Sequence, residues 1–129
     1  MTFFVGEGNC GSDPKIEKIE IKKNNETRSK LSVSIRFPVE RNIGEEGYKD
    51  VAGFWATVEL WGKRADIFGE HIKKGARLLV IGELSEETFV LEKGENAGQE
   101  RLSKKINAQS IGIVPMGISS IEYSEKKSA

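Results

Sequence analysis

The chain has 129 residues, enough for one domain with a real core, and its 20 Lys and Arg are balanced by 20 Asp and Glu. A formal net charge of zero argues against nucleic-acid binding by charge alone, which needs clustered cations, but leaves room for stacking beside a local basic groove. The lone cysteine, Cys10, excludes an internal disulfide and fits a reducing compartment. No apolar run reaches membrane-spanning length, and Met1-Thr2-Phe3-Phe4-Val5 lacks a signal peptide's basic region, so cytoplasmic residence without a membrane partner is expected.

Short strand-like runs separated by Gly, Asn and Pro dominate. Phe3-Phe4-Val5 reads as an opening strand, followed by the turn Gly8-Asn9-Cys10-Gly11-Ser12-Asp13-Pro14. Residues 15–23 alternate imperfectly, which predicts an exposed strand with a bulge or shift near Lys18. Leu31, Val33, Ile35 and Phe37 alternate with Ser32, Ser34 and Arg36, a half-buried strand that stops at Pro38. Residues 40–51 read as a polar loop.

The segment from Gly53 to Trp61 alternates with period two. Phe54, Ala56, Val58 and Leu60 make a core face, while Trp55, Thr57, Glu59 and Trp61 make the other. Two large rings separated by a hydroxyl and a carboxylate suit an open face rather than a sealed interior. Such rings either stack flat ligands such as unpaired bases, or pack under a loop or in a subunit interface.

One segment reads as a helix, residues 64–74, with Ala65, Phe68 and Ile72 at helical spacing and Gly75 as its stop. Residues 76–84 are nearly all apolar and read as a central strand. Residues 86–93 and 101–114 read as a hairpin around Gly94-Glu95-Asn96-Ala97-Gly98. The rest, residues 115–129, is a Ser- and Lys-rich tail. Five or six strands with a single helix between the third and fourth predict an all-β fold with one short helix, the five-stranded Greek-key barrel of the OB-fold.

Catalytic chemistry has little support. His71 has no Cys or second His to share a metal, Cys10 has no base beside it, and adjacent carboxylates such as Glu86-Glu87 point to opposite faces of a strand. Gly6, Gly8 and Gly11 lack the following helix that a dinucleotide loop needs. No cofactor, metal or catalytic residue is expected.

Three blocks, in this order, resemble the bacterial single-stranded DNA-binding protein family across residues 1–114. They are the turn Gly8-Asn9-Cys10-Gly11-Ser12-Asp13-Pro14, the strand-to-helix block from Trp55 to Asp66, and the block from Ile72 to Leu84 containing Lys74-Gly75 and Gly82-Glu83-Leu84. The resemblance implies base stacking on Trp55, Trp61 and Phe89. From the residues alone Phe89 is an isolated apolar side chain among Glu86, Glu87 and Thr88, equally suited to a hairpin core. Lys63 matches a basic position after the second ring. Arg36 and Arg77 are further candidates for phosphate contacts, and Tyr48 and Lys49 could close over a bound strand from the loop before the Trp strand.

The implied function is sequence-independent binding of single-stranded DNA, protecting it in replication, recombination or repair, with a homotetramer expected and a dimer as the alternative assembly. Two departures stand out. Pro38, Val39 and Arg41 occupy a stretch where the family often carries another Trp, and Glu122 to Ala129 is neutral where the family has an acidic tail that recruits partners. Tail-mediated recruitment is therefore not expected, and a role on a mobile element fits. An oligomeric OB-fold adaptor that binds a protein partner through the same face, or a binder of single-stranded RNA, stands as the alternative.

Overall fold

A computed structural model describes residues 1–125. The elements in chain order are β1 (Phe3–Cys10), β2 (Lys15–Ile21), β3 (Glu26–Phe37), β4 (Glu40–Asn42), β5 (Tyr48–Asp50), β6 (Phe54–Trp61), α1 (Lys63–His71), β7 (Arg77–Val90) and β8 (Glu100–Val114). Strands pair in the order β1-β7-β8-β6-β3, and β3 returns to β1 through Asn9–Arg36 and Cys10–Ile35. That closes a ring of five strands with α1 between its third and fourth, the expected OB-fold. After the turn at Gly11, β2 takes over the edge of β3 that β1 leaves.

Closure needs backbone to approach backbone. A side chain at Gly8 would collide with the Arg36 carbonyl where β1 meets β3. Gly82 plays the same part against the Asn107 carbonyl, at the register shift between Ile81 and Gly82 where β7 bends over β8. The inward positions of four ring strands fill the barrel: Leu31, Val33, Ile35, Ala56, Val58, Leu60, Leu78, Val80, Ile106 and Ile111 are all buried. Helix α1 covers one end with Ala65 and the half-buried Phe68, and Ile72 follows it inward. Phe37 belongs to the same core, and Phe4 and Phe54 pack against it as an aromatic group, with Phe4 4.8 Å from Phe37 and 6.0 Å from Phe54.

Several expectations need correction. Strand β2 keeps an unbroken register with β3 through Lys18–Ser29, so no bulge lies there. Lys18 is simply a polar residue on the side facing the helix, where its ammonium group donates to Ser29 Oγ at 2.6 Å and lies 3.3 Å from Asp66. The Ser29 hydroxyl donates to Asp66 at 2.9 Å, and it, followed by Lys18, holds the Asp66 carboxyl below its usual range. The predicted strands 76–84 and 86–93 are one strand, because the outer-face carboxylates Glu83 and Glu87 do not interrupt the alternation of β7. The polar loop contains the small hairpin β4–β5. Helix α1 ends at His71, where Ile72 turns extended to reach the core. Strand β1 runs on to Cys10 rather than stopping at Val5. No helix among the described residues is long and apolar enough to cross a membrane. The tail expectation falls partly on residues 126–129, outside the described residues.

Candidate nucleic-acid interface

The outer face of β6 is set by its neighbours' registers. On the β3 side, Lys30 lies opposite Trp61, Ser32 opposite Glu59, Ser34 opposite Thr57 and Arg36 opposite Trp55. On the β8 side the pairing is parallel, with Lys105 beside Thr57 and Asn107 beside Glu59. Strand β7 then adds Glu83 opposite Asn107, Ser85 opposite Lys105 and Phe89 opposite Arg101. Four strands thus present one continuous surface bearing Trp55, Trp61 and Phe89.

All three rings are open to solvent, with relative exposures of 53% for Trp55, 37% for Trp61 and 44% for Phe89. None is sealed in the core. Trp55 and Trp61 stand six residues apart on one strand, roughly 20 Å at the usual strand rise. Trp55 and Phe89 line one open cleft of about 410 Å³, together with Ser34, Thr57 and Lys104. Trp61 borders two others, one of about 370 Å³ with Lys18, Arg28 and Lys63, and one of about 270 Å³ with Glu59 and Lys105.

Gly11 makes the room that Trp55 occupies, because a Cβ there would overlap the six-membered end of the indole. Gly11→Val is therefore expected to push the ring off its seat while leaving the melting temperature nearly unchanged. Its Trp emission spectrum would shift relative to the parent chain; an unchanged spectrum would show that the ring does not rest there.

Glu59 is the central charge of this face. Its side chain is only 11% exposed, and its two oxygens meet Lys30 at 3.4 Å and Lys105 at 3.1 Å, from opposite neighbouring strands. The Lys30 ammonium also lies 5.7 Å from the Trp61 ring centroid, within cation–π range. Beside Trp55, Arg36 donates from Nε to Asp50 at 3.1 Å and from Nη2 at 3.0 Å. Asp50 also accepts from the backbone N–H of Val39 at 3.1 Å and of Gly53 at 3.0 Å. These bonds, the Val39 N–H foremost, hold its carboxyl below the ordinary range. The hairpin β4–β5 is thereby fastened next to Trp55. A carboxyl whose pKa is lowered on folding stabilises above its unfolded value and loses that contribution as pH falls through the folded one. The Val39 and Gly53 amide resonances should therefore move together on acidification below the usual carboxylate range, and Asp50→Ala should remove that shared transition.

The candidate side chains distribute unevenly. Tyr48, 72% exposed, and Lys49 sit on the fastened hairpin, and Lys63 begins α1 directly after Trp61 and Gly62. Arg77 stands apart from the rings. It lies on β7 twelve residues before Phe89, beyond the bend at Ile81/Gly82, and its guanidinium is held 2.7 Å from Glu7. Period-two alternation had already put Glu59 on this face, but Lys30, Lys105 and Asn107 were not singled out by sequence reasoning. Lys30 could have been found by extending the β3 alternation, whereas Lys105 and Asn107 reach the face through a parallel pairing that no local pattern announces. Cys10 is buried, which pushes its thiol up to about 11, and its turn is structural: Cys10 bonds the backbone of Ala76 and Gly75, while Asp13 accepts from the Lys74 N–H at 2.8 Å.

The model of the single-strand binding protein family matches residues 2–114. The chain belongs to that family. The single-strand binding family is one of binding proteins rather than enzymes, in keeping with a face built of rings and paired charges. The chain is similar to single-stranded DNA-binding protein 2 of Nostoc sp., with 22% identity over 107 residues that cover 83% of this chain and 72% of that one. It is likewise similar to the single-stranded DNA-binding protein of Xylella fastidiosa, at 29% identity over 83% of this chain and 59% of the relative. Among solved structures, the small single-stranded DNA-binding protein from Streptomyces coelicolor shares the fold with a TM-score of 0.72 at 21% identity, over 87% of this chain and 93% of that one.

Proposed function

We propose that the chain binds single-stranded DNA by stacking unpaired bases on Trp55, Trp61 and Phe89, without chemistry on the strand. The observation that carries this reading is the set of three solvent-open rings on one continuous face of a single-strand binding family barrel. A stacked base contributes about 1–3 kcal/mol by alanine substitution, so three platforms suffice for useful affinity without high net charge. The curated relatives named above are single-stranded DNA-binding proteins, which favours DNA. Residues 1–114 form the binding unit in this reading, with residues 115–129 as an appended tail. Protection of unpaired strands in replication, recombination or repair, in the cytoplasm or on a mobile element, follows from such binding.

Assembly into a homo-oligomer is part of the same reading. The outer face of β1 and β7 exposes Phe3, Val5 and Leu79 in adjoining positions, more apolar surface than a solitary barrel needs. A tetramer is expected, with a dimer as the smaller alternative.

The charges predict how binding responds to salt. Arg36, Lys30 and Lys105 are engaged by carboxylates. Among the described residues, Lys49, Lys63 and Arg101 lie near the rings without an ion pair. Three neutralised phosphates at about 0.7 each give a log–log salt slope of about −2 for a dT oligomer. Titration by Trp fluorescence against a dT oligomer, an rU oligomer and duplex DNA checks this. Quenching by the dT oligomer with that shallow slope is expected. Absence of any quenching at low salt would refute strand binding and favour a face for a protein partner.

A further inference from the structure

Glu59 is an awkward residue for a surface that meets phosphates, since a carboxylate repels them. It nevertheless occupies the outer face of β6 between Thr57 and Trp61, and 9% of the residue is exposed. Its opening is specific. With Trp61, Glu83, Ser85, Lys105 and Asn107 it lines a cleft of about 270 Å³ beside the ring. Glu59, Asn107 and Glu83 form one rank across three strands, each the register partner of the next.

Resting on the strand-binding reading above, we infer that this cleft reads the edge of the base stacked on Trp61 and selects guanine, with Glu59 as the specificity-determining acceptor. A carboxylate is acceptor-only and offers two oxygens with about four lone-pair positions. Lys30 and Lys105 each form an ion pair with one of its oxygens, at 3.4 Å and 3.1 Å, and hold the group between two strands with lone pairs still available to the cleft. Guanine alone among the four bases presents two adjacent donors, N1–H and the N2 amino group, which match a carboxylate in bidentate fashion. Cytosine and adenine offer one amino donor beside a ring-nitrogen acceptor. Thymine offers a single N–H flanked by two carbonyl oxygens, which the carboxylate repels. Asn107 adds an amide to the same cleft, a donor for guanine O6. Because backbone binding carries no register, a guanine anywhere along a bound strand can slide into the cleft.

The test compares dT oligomers of one length that carry at their centre dT, dG, dC or deoxyinosine, which keeps N1–H but lacks the N2 amino group. Trp quenching of the unaltered chain reads affinity at one salt concentration. The dG oligomer is expected to bind about tenfold more tightly than all-dT, with deoxyinosine losing most of that gain. Glu59→Gln, which replaces one acceptor oxygen by a donor, should erase the preference, read as the ratio of dG-oligomer to all-dT affinity within the variant. Equal affinity for the dG and dT oligomers in the unaltered chain would overturn the guanine assignment and leave strand binding intact. Quenching by neither oligomer would instead overturn the strand-binding reading itself. The comparison of bases needs no variant, so it decides the matter even if Glu59→Gln folds poorly.

Discussion

Trp61→Ala is expected to weaken binding of a dT oligomer roughly 5- to 150-fold, the equivalent of about 1–3 kcal/mol for one lost stacking platform. Trp55→Ala should cost a similar factor. The two rings stand roughly 20 Å apart along β6 and share no partner, so the double variant should lose close to the sum of the two free energies. Trp61 has one further connection. The Lys30 ammonium lies 5.7 Å from its ring centroid and is also tied to Glu59, so removing the ring leaves that lysine with its carboxylate partner alone. Neither substitution touches the inward face of β6, and thermal melts of both variants should stay within a few degrees of the parent chain. A Trp61→Ala variant with parental affinity would show that the outer face of β6 does not carry the strand.

The largest effect on stability is expected from Leu31→Ala. Leu31 is 0% exposed, lies opposite Leu60 on β6 and Ile16 on β2, and faces α1 near Gly69. Three elements converge on this side chain, so the cavity left by alanine cannot collapse easily. The cost should be about 2–5 kcal/mol, as for other fully buried leucines. A chain of this size loses about 3–5 °C per kcal/mol, which gives a fall in Tm of roughly 6–25 °C, measurable by calorimetry. The folded fraction should still bind a dT oligomer nearly as the parent does, because Leu31 points away from the rings. A melt unchanged by this substitution would contradict the barrel register.

Alternation in single strands carried much of this architecture in advance. Trp55 and Trp61 separate from Phe54, Ala56, Val58 and Leu60 by period alone, and the structure keeps that division. The lone helix between the third and fourth ring strands likewise followed from spacing at Ala65, Phe68 and Ile72. What was not legible depends on pairing between distant segments. Lys18 looked like a flaw in β2 because its partners, Ser29 and Asp66, lie on β3 and α1. Strand β7 seemed to break between Leu84 and Glu86 because a charge run mimics a loop, yet its outward carboxylates face solvent along a ladder with β8 that runs without a shift from Gly82 to Val90. The Lys30–Glu59–Lys105 arrangement joins three strands, one of them in parallel, and no local pattern contains it. Phe89 entered the site through resemblance, and it lines the same open cleft as Trp55.

The chain holds only two tryptophans, so Trp55→Phe and Trp61→Phe each leave a single indole reporter on the proposed face. The decisive measurement is the fluorescence of each variant during titration with a dT oligomer, with binding followed independently by anisotropy of labelled DNA. Quenching of both indoles in step with the anisotropy is the result this account predicts. A rise in anisotropy with both indoles unmoved would contradict it, since the strand would then lie elsewhere.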